Sequence, residues 1–130
     1  MTEHAEQAAL IDWCIDNLGR YPSLHLIHAI PNGVMLGGGR VGAIRMNNLK
    51  AEGLRPGVSD LFLPVARGGY FGMYIEMKAK GGSLSENQRE FIAAAEAEGY
   101  YCCVPFSAGE AIENVEWYMQ QSTTSRIMSK

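Results

Sequence analysis

The sequence contains no run of about 18 uncharged apolar residues, which excludes a membrane-spanning helix. Its start, Met1-Thr2-Glu3-His4, offers neither a basic stretch nor an apolar one, so no secretory leader is read there. Cysteine is scarce. The three present, Cys14, Cys102 and Cys103, form no CxxC pair and no cysteine–histidine cluster at zinc-finger spacing. They read as buried reduced thiols, with Cys102 and Cys103 on opposite faces of a strand. Net charge is only −3, which in bulk argues against a nucleic-acid partner. These absences point to a soluble, intracellular protein.

What is there suffices for one core. With 130 residues and 47% hydrophobic content, the chain fits a single domain over 1–130 that needs no disulfide or structural metal. Its charge is unevenly spread. Residues 1–39 carry −3 and residues 81–130 carry −4, whereas residues 40–80 carry +4 through seven basic and three acidic side chains. A basic centre between acidic ends suits a localised phosphate-facing surface, although a solvated face explains charge equally well.

The pattern predicts a helix over 3–18, capped by Thr2 and stopped by Gly19 in the left-handed conformation. A strand over 24–30 should follow, closed by the turn signal Pro31-Asn32-Gly33. Residues 33–40 are too glycine-rich for regular structure. A short helix over 41–52, using Val41, Ile44 and Leu49, precedes strands over 58–65 and 70–79 joined by Arg67-Gly68-Gly69. Ser85 and Gln88 form a capping box that opens a helix ending at Gly99. A strand over 100–106 and a helix opened by Ser107 and Glu110 complete the order α-β-(α)-β-β-α-β-α. The tail over 120–130 is polar and expected to fray. Trp13 and Trp117 are expected in the core. The whole describes an α/β fold, a mixed sheet of about four strands flanked by helices.

If strands 58–65 and 70–79 form an antiparallel hairpin with a three-residue loop, residue 62 pairs with 74 and Asp60 stands opposite Glu76. Directly opposed like charges destabilise a hairpin. Lys78 projects on the same face, two residues on. A divalent cation between the carboxylates would convert repulsion into ligation, and hard oxygen ligands select Mg²⁺ or Mn²⁺. Such a cation polarises a phosphoryl oxygen and activates water, while Lys78 could steady the water or the charge growing on phosphorus. On spacing alone, a pair of solvent-facing acids matched with Lys78 and Lys80 explains the residues as well.

The landmarks Asn32-Gly33, Gly57-Val58-Ser59-Asp60-Leu61, Ile75-Glu76-Met77-Lys78, Leu84-Ser85-Glu86-Asn87-Gln88 and Gly99-Tyr100 follow one another in an order that resembles the VRR-NUC (virus-type replication and repair nuclease) family of the PD-(D/E)xK nuclease superfamily. The resemblance extends over roughly residues 3 to 118. It implies a restriction-endonuclease-like core and a metal site of Asp60, Glu76 and the Met77 backbone carbonyl. Lys78 becomes the catalytic lysine, and Gln88 faces substrate or the attacking water. It also maps an acid of the N-terminal helix onto Glu6 as a further metal ligand. Ser59 stands where the superfamily has proline, a position that mainly shapes the entry into the strand.

The expected function is that of a Mg²⁺- or Mn²⁺-dependent deoxyribonuclease selective for DNA structure, with branched or junction DNA as partner. Similar stand-alone members resemble homodimeric Holliday-junction resolvases, and two-fold symmetry would supply paired cuts. Tyr70, Tyr74, Met35, Leu36, Trp117, Tyr118 and Met119 are the residues expected at such an interface. Asn32, Arg40, Arg45, Lys50, Arg55 and Lys80 are expected on phosphates rather than bases. The resemblance further suggests a bacterial or phage-infected cytoplasm. The competing reading is a non-catalytic nucleic-acid-binding or assembly protein that keeps the fold as a scaffold.

Overall fold

Thr2 Oγ1 accepts from the Ala5 amide at 3.0 Å and so begins helix α1, Glu3–Asp16, in a computed structural model describing residues 2–31 and 38–125. The helix ends earlier than the periodicity suggests. Asn17 closes it, its Nδ2 donating to the Trp13 carbonyl at 2.9 Å, and Gly19 does not adopt positive φ.

The expected strand over 24–30 is mostly something else. Pro22 sits in the first turn of a 3₁₀ helix, Pro22–Leu26, where its fixed φ suits helical geometry. Only β1, His28–Ala29, remains extended. Residues 32–37 lie outside the described residues, and with them Asn32, Met35 and Leu36. Helix α2, Gly39–Ala51, then opens at Gly38. Strands β2, Leu61–Leu63, and β3, Met73–Ile75, are each three residues long, much shorter than expected. Helix α3, Glu86–Ala97, carries the complete capping box of Ser85 and Gln88. Strand β4, Tyr101–Cys103, and helix α4, Ala108–Met119, finish the order. Ser107 caps α4 through the Glu110 amide, while the Glu110 side chain accepts from Phe106 instead of closing a box.

The sheet runs β1-β2-β3-β4, antiparallel for the first two pairs and parallel for β3 with β4. Phe62 pairs with Tyr74 and Leu61 with Ile75, the register that sets Asp60 against Glu76. One face is aliphatic. Leu61, Leu63, Met73, Ile75 and Met77 are buried with Leu10 and Cys14 of α1 and with Val115 and Tyr118 of α4. The other face is aromatic. Phe62 stacks on Tyr74 at 4.5 Å, and Tyr74 meets the Phe91 edge of α3 at 5.0 Å. Cys103 faces the aliphatic core, and the Cys102 thiol reaches toward the Ile92 carbonyl of α3.

Several residues expected at an interface are therefore internal. Tyr118 is wholly buried, with its hydroxyl donating to the Val65 carbonyl at 2.7 Å, and Met119 is buried beside it. Tyr70 packs on Tyr101 and Tyr118. Trp117 differs in the opposite sense. It is 45% exposed rather than in the core. On α2, Val41 and Ile44 are exposed too, and Gly42 is the buried residue.

Of the tail over 120–130, residues 126–130 lie outside the described residues, and 122–124 are hydrogen-bonded to the rest of the fold. The Ser122 carbonyl accepts from Gly68, the Thr124 amide donates to Ala66, and Thr124 Oγ1 donates to the Tyr70 carbonyl at 2.6 Å. The segment straps the loop between β2 and β3.

Candidate functional site

Both carboxylates stand where the hairpin ladder runs out. Past Leu61 and Ile75, the Met77 amide donates not to backbone but to Asp60 Oδ2, at 2.8 Å. On its other edge the chain stays paired in parallel. Glu76 donates its amide to the Cys103 carbonyl and Lys78 to the Pro105 carbonyl, both at 3.0 Å. Residues 76–78 are thus held by backbone on one side and by a carboxylate on the other. Among the described residues no backbone amide donates to the Met77 carbonyl.

The aromatic face of the sheet is closed by α3, so Glu76 is only 2% exposed although its side chain points away from the aliphatic core. Gln88 meets it there. Nε2 of Gln88 donates to Glu76 Oε2 at 3.2 Å, while its Oε1 accepts from Lys78 Nζ and from the Ser85 amide, each at 2.9 Å. Two donors on the oxygen and one acceptor on the nitrogen fix the amide's orientation, because a flip would oppose donors to donors. Lys78 Nζ also lies 3.9 Å from Glu76 Oε2. Residue 88 therefore joins three tasks: it closes the cap of α3, orients the ammonium and holds one oxygen of the acid.

The other oxygen, Glu76 Oε1, is buried without a hydrogen-bond partner, as is Ser59 Oγ. A buried carboxylate oxygen left unpaired is costly. Burial pushes the Glu76 carboxyl up to about 8, the charge of Asp60 and a hydrogen bond shared with it add to the effect, Lys78 opposes it and Glu3 reinforces it. An acid in that state calls for a positive partner in addition to the lysine. The donor set fits a hard divalent cation, with two carboxylates and a main-chain carbonyl without a backbone partner. Among the described residues no three acidic, histidine or cysteine side chains converge, so the remaining positions would fall to carbonyl, water or substrate oxygens.

Asp60, Glu76, Met77, Lys78 and Gln88 are thus brought together. Glu6 is not with them. Its Oε2 accepts from the Ala108 amide, where it caps the start of α4. The acid of α1 that reaches the hairpin is Glu3, one turn earlier, whose Oε2 accepts from the Ala79 amide at 3.3 Å. The sequence held a signal for this. Residues three apart share a helix face, so the pattern that marks Glu6 marks Glu3 equally. Arg40, Arg45 and Lys50 on α2, with Arg55 and Lys80, are all exposed, and Asn32 lies outside the described residues. His25 and His28 are exposed; His28 sits edge-on to Phe62. No helix of the described residues is long and apolar enough to cross a membrane.

The VRR-NUC domain family model matches residues 39–104, which contain Asp60, Glu76, Lys78 and Gln88. Among solved structures, one described as a VRR_NUC domain protein superposes with a TM-score of 0.78 at 24% identity, over 95% of this chain and 92% of the other. That likeness shows the fold. No curated protein sequence matches the chain.

Proposed function

The chain belongs to the VRR-NUC domain family, a family of nuclease type, and from that premise we propose that it is a Mg²⁺- or Mn²⁺-dependent endonuclease hydrolysing DNA phosphodiesters at Asp60, Glu76 and Lys78. The observation carrying this reading is the buried, unpartnered Glu76 Oε1 beside the opposed carboxylate of Asp60. Once the carboxyl has lost its proton, that oxygen has no partner in the fold and is open to an ion.

Asp60, Glu76 and the Met77 carbonyl would hold the cation, which when bound supplies Lewis acidity toward a phosphoryl oxygen and acidifies a coordinated water. The chain's own residues do the rest. Asp60 is held in place by the Met77 amide, and Glu76 by Gln88. Lys78 keeps its ammonium 3.9 Å from Glu76 Oε2, where its protons would face charge developing on a phosphate bound there. Gln88 Oε1 fixes that ammonium, so positioning precedes substrate arrival. The exposed cations of α2 and Arg55 suit backbone contact and carry no sequence readout.

Structure-selective cutting of branched DNA by a two-fold pair of chains belongs to the same reading, since paired nicks need two sites at fixed separation. Cleavage of duplex, flap, single-stranded and four-way substrates under Mn²⁺ titration tests it, with sedimentation across concentration for the pair. No cleavage of any substrate at any metal concentration refutes the catalytic reading. A monomer making unpaired nicks refutes the resolvase alone.

A further inference from the structure

A pocket of about 240 Å³ opens between α2 and the chain leading into β2. Pro31, Met46, Leu54 and Val58 give it apolar walls, and two exposed cations, Lys50 and Arg55, stand at it. We infer that this pocket takes one unpaired nucleotide of the DNA strand being cut, its base against the aliphatic walls and its phosphate on Lys50 and Arg55. The inference rests on the nuclease reading and deepens it.

Position is the first argument. Val58 lies two residues before Asp60, and the residue before Pro31, Ile30, donates its amide to the Asp60 carbonyl at 2.8 Å. Two residues of chain span at most roughly 7 Å, about one nucleotide step, so the pocket wall at Val58 lies close to Asp60. A third wall residue, Gly57, ties the pocket to the other half of the site. An added Cβ there would lie 2.5 Å from the backbone of Asn87, the neighbour of Gln88. The pocket is therefore bracketed by the segment that leads through Asp60 into β2 and by the helix of Gln88.

Chemistry and size are the second. Drug-sized ligands occupy pockets of roughly 300–1,000 Å³, so this one suits a smaller group, yet it far exceeds a water molecule's share of about 30 Å³. Apolar walls with two adjacent cations match a flat, weakly polar ring joined to an anion. A base entering it must first leave its stack, which costs least where it is already unpaired. The pocket thus favours a branch point or single-stranded end over uniform duplex, and gives a physical reason for selectivity without base-edge readout.

The test uses the full chain in EDTA, where nothing is cut, and a branched oligonucleotide whose first unpaired base is 2-aminopurine. Saturating protein is expected to raise its fluorescence several-fold as the base leaves its neighbours. Leu54→Trp, which fills the pocket, should abolish the rise. Met46→Phe serves as a second blocking variant, each chain checked for its fold by circular dichroism. Lys50→Ala with Arg55→Ala should weaken binding and reduce the rise at fixed protein. Free 2-aminopurine deoxyribonucleotide monophosphate should bind at least tenfold more weakly. An oligonucleotide that binds with unchanged fluorescence, or a rise that survives both blocked pockets, overturns the assignment while cleavage under Mn²⁺ still stands. Equal affinity for the free nucleotide overturns the DNA strand as occupant.

Discussion

Asp60 takes the place of a backbone acceptor. Its Oδ2 receives the Met77 amide at 2.8 Å at the point where β2 and β3 stop exchanging main-chain hydrogen bonds. The carboxylate thereby ends the ladder and fixes the strand carrying Glu76 and Lys78. This contact separates it from Glu76, whose Oε1 is buried without a partner while the carboxyl is ionised and is met by Asp60 once it carries its proton.

That asymmetry predicts different behaviour for the two acids. Asp60→Ala leaves the Met77 amide without its acceptor and should cost about 1–3 kcal/mol in the metal-free protein. Glu76→Gln removes a buried charge set against Asp60, so the metal-free protein should melt at or above the wild-type temperature near pH 8. Both should lose cleavage. Thermal melts in EDTA beside a Mn²⁺ cleavage assay check the pair, and an Asp60→Ala protein as stable as wild type contradicts the assignment of its hydrogen bond.

Acidity at Glu76 sets a pH dependence. In the folded chain its carboxyl is pushed up to about 8, against an ordinary value of 4.5. Between those limits the native state binds more protons than the unfolded one, so stability contributed by this group falls as pH rises from about 4.5 to about 8. Divalent metal must displace that proton, so its affinity should climb over the same interval. Denaturant midpoints in EDTA and calorimetric metal titrations, each taken from pH 5 to 9, report the two trends. Glu76→Gln should flatten the first.

Gln88→Ala should act twice. Without the side chain that accepts from the Ser85 amide, the capping box opens at a cost of about 1 kcal/mol. With Glu76 and Lys78 no longer held, metal affinity or turnover should fall by about 10–100-fold, as removal of groups orienting metal ligands commonly does. Gln88→Glu should restore part of the cap and none of the activity, since it would set a third charge beside Glu76. Recovered turnover in that variant contradicts the positioning role.

Much of this arrangement was legible in the residues. The hairpin register followed from a three-residue loop at Arg67-Gly68-Gly69, and the pairing of Phe62 with Tyr74 agrees with it. Ser85 with Gln88 announced a helix start, and the structure adds that the same glutamine serves the site. Strand lengths were not legible. Val58 and Ala79 carry good strand pattern, but the ladder ends where Asp60 captures the Met77 amide, a tertiary event with no local signal. Pro22 is similar, since its fixed φ suits a 3₁₀ turn but does not announce one within an apolar run. Glu3 and Glu6 share one helix face, and only the placement of α4 sends Glu6 to Ala108. The aromatic residues near the end of α4 could not be assigned to core or surface by type alone. Tyr118 went inward and Trp117 outward.

The basic segment yields a prediction independent of catalysis. Binding to DNA should weaken steeply with salt despite a pI of about 5.6. Arg55→Glu or Lys50→Glu should flatten the log–log salt slope by about one for each phosphate no longer neutralised, in similar measure for every sequence. An unchanged slope in both variants would show that these cations only meet solvent.

The strap formed by residues 122–124 bears on the order of assembly. The Tyr118 hydroxyl meets the Val65 carbonyl across 53 positions of sequence, and Thr124 meets Tyr70 across 54. Pairings at such range form late, after nearer ones have shortened the effective distance between their ends. The parallel pairing of β3 with β4 likewise spans a long connection, the one that carries α3. The loop joining the two strands of the acidic hairpin is therefore secured among the last parts of the molecule. The open end of the same hairpin, at Asp60 and Glu76, is held instead by the Asp60–Met77 bond and by the Cys103 and Pro105 carbonyls.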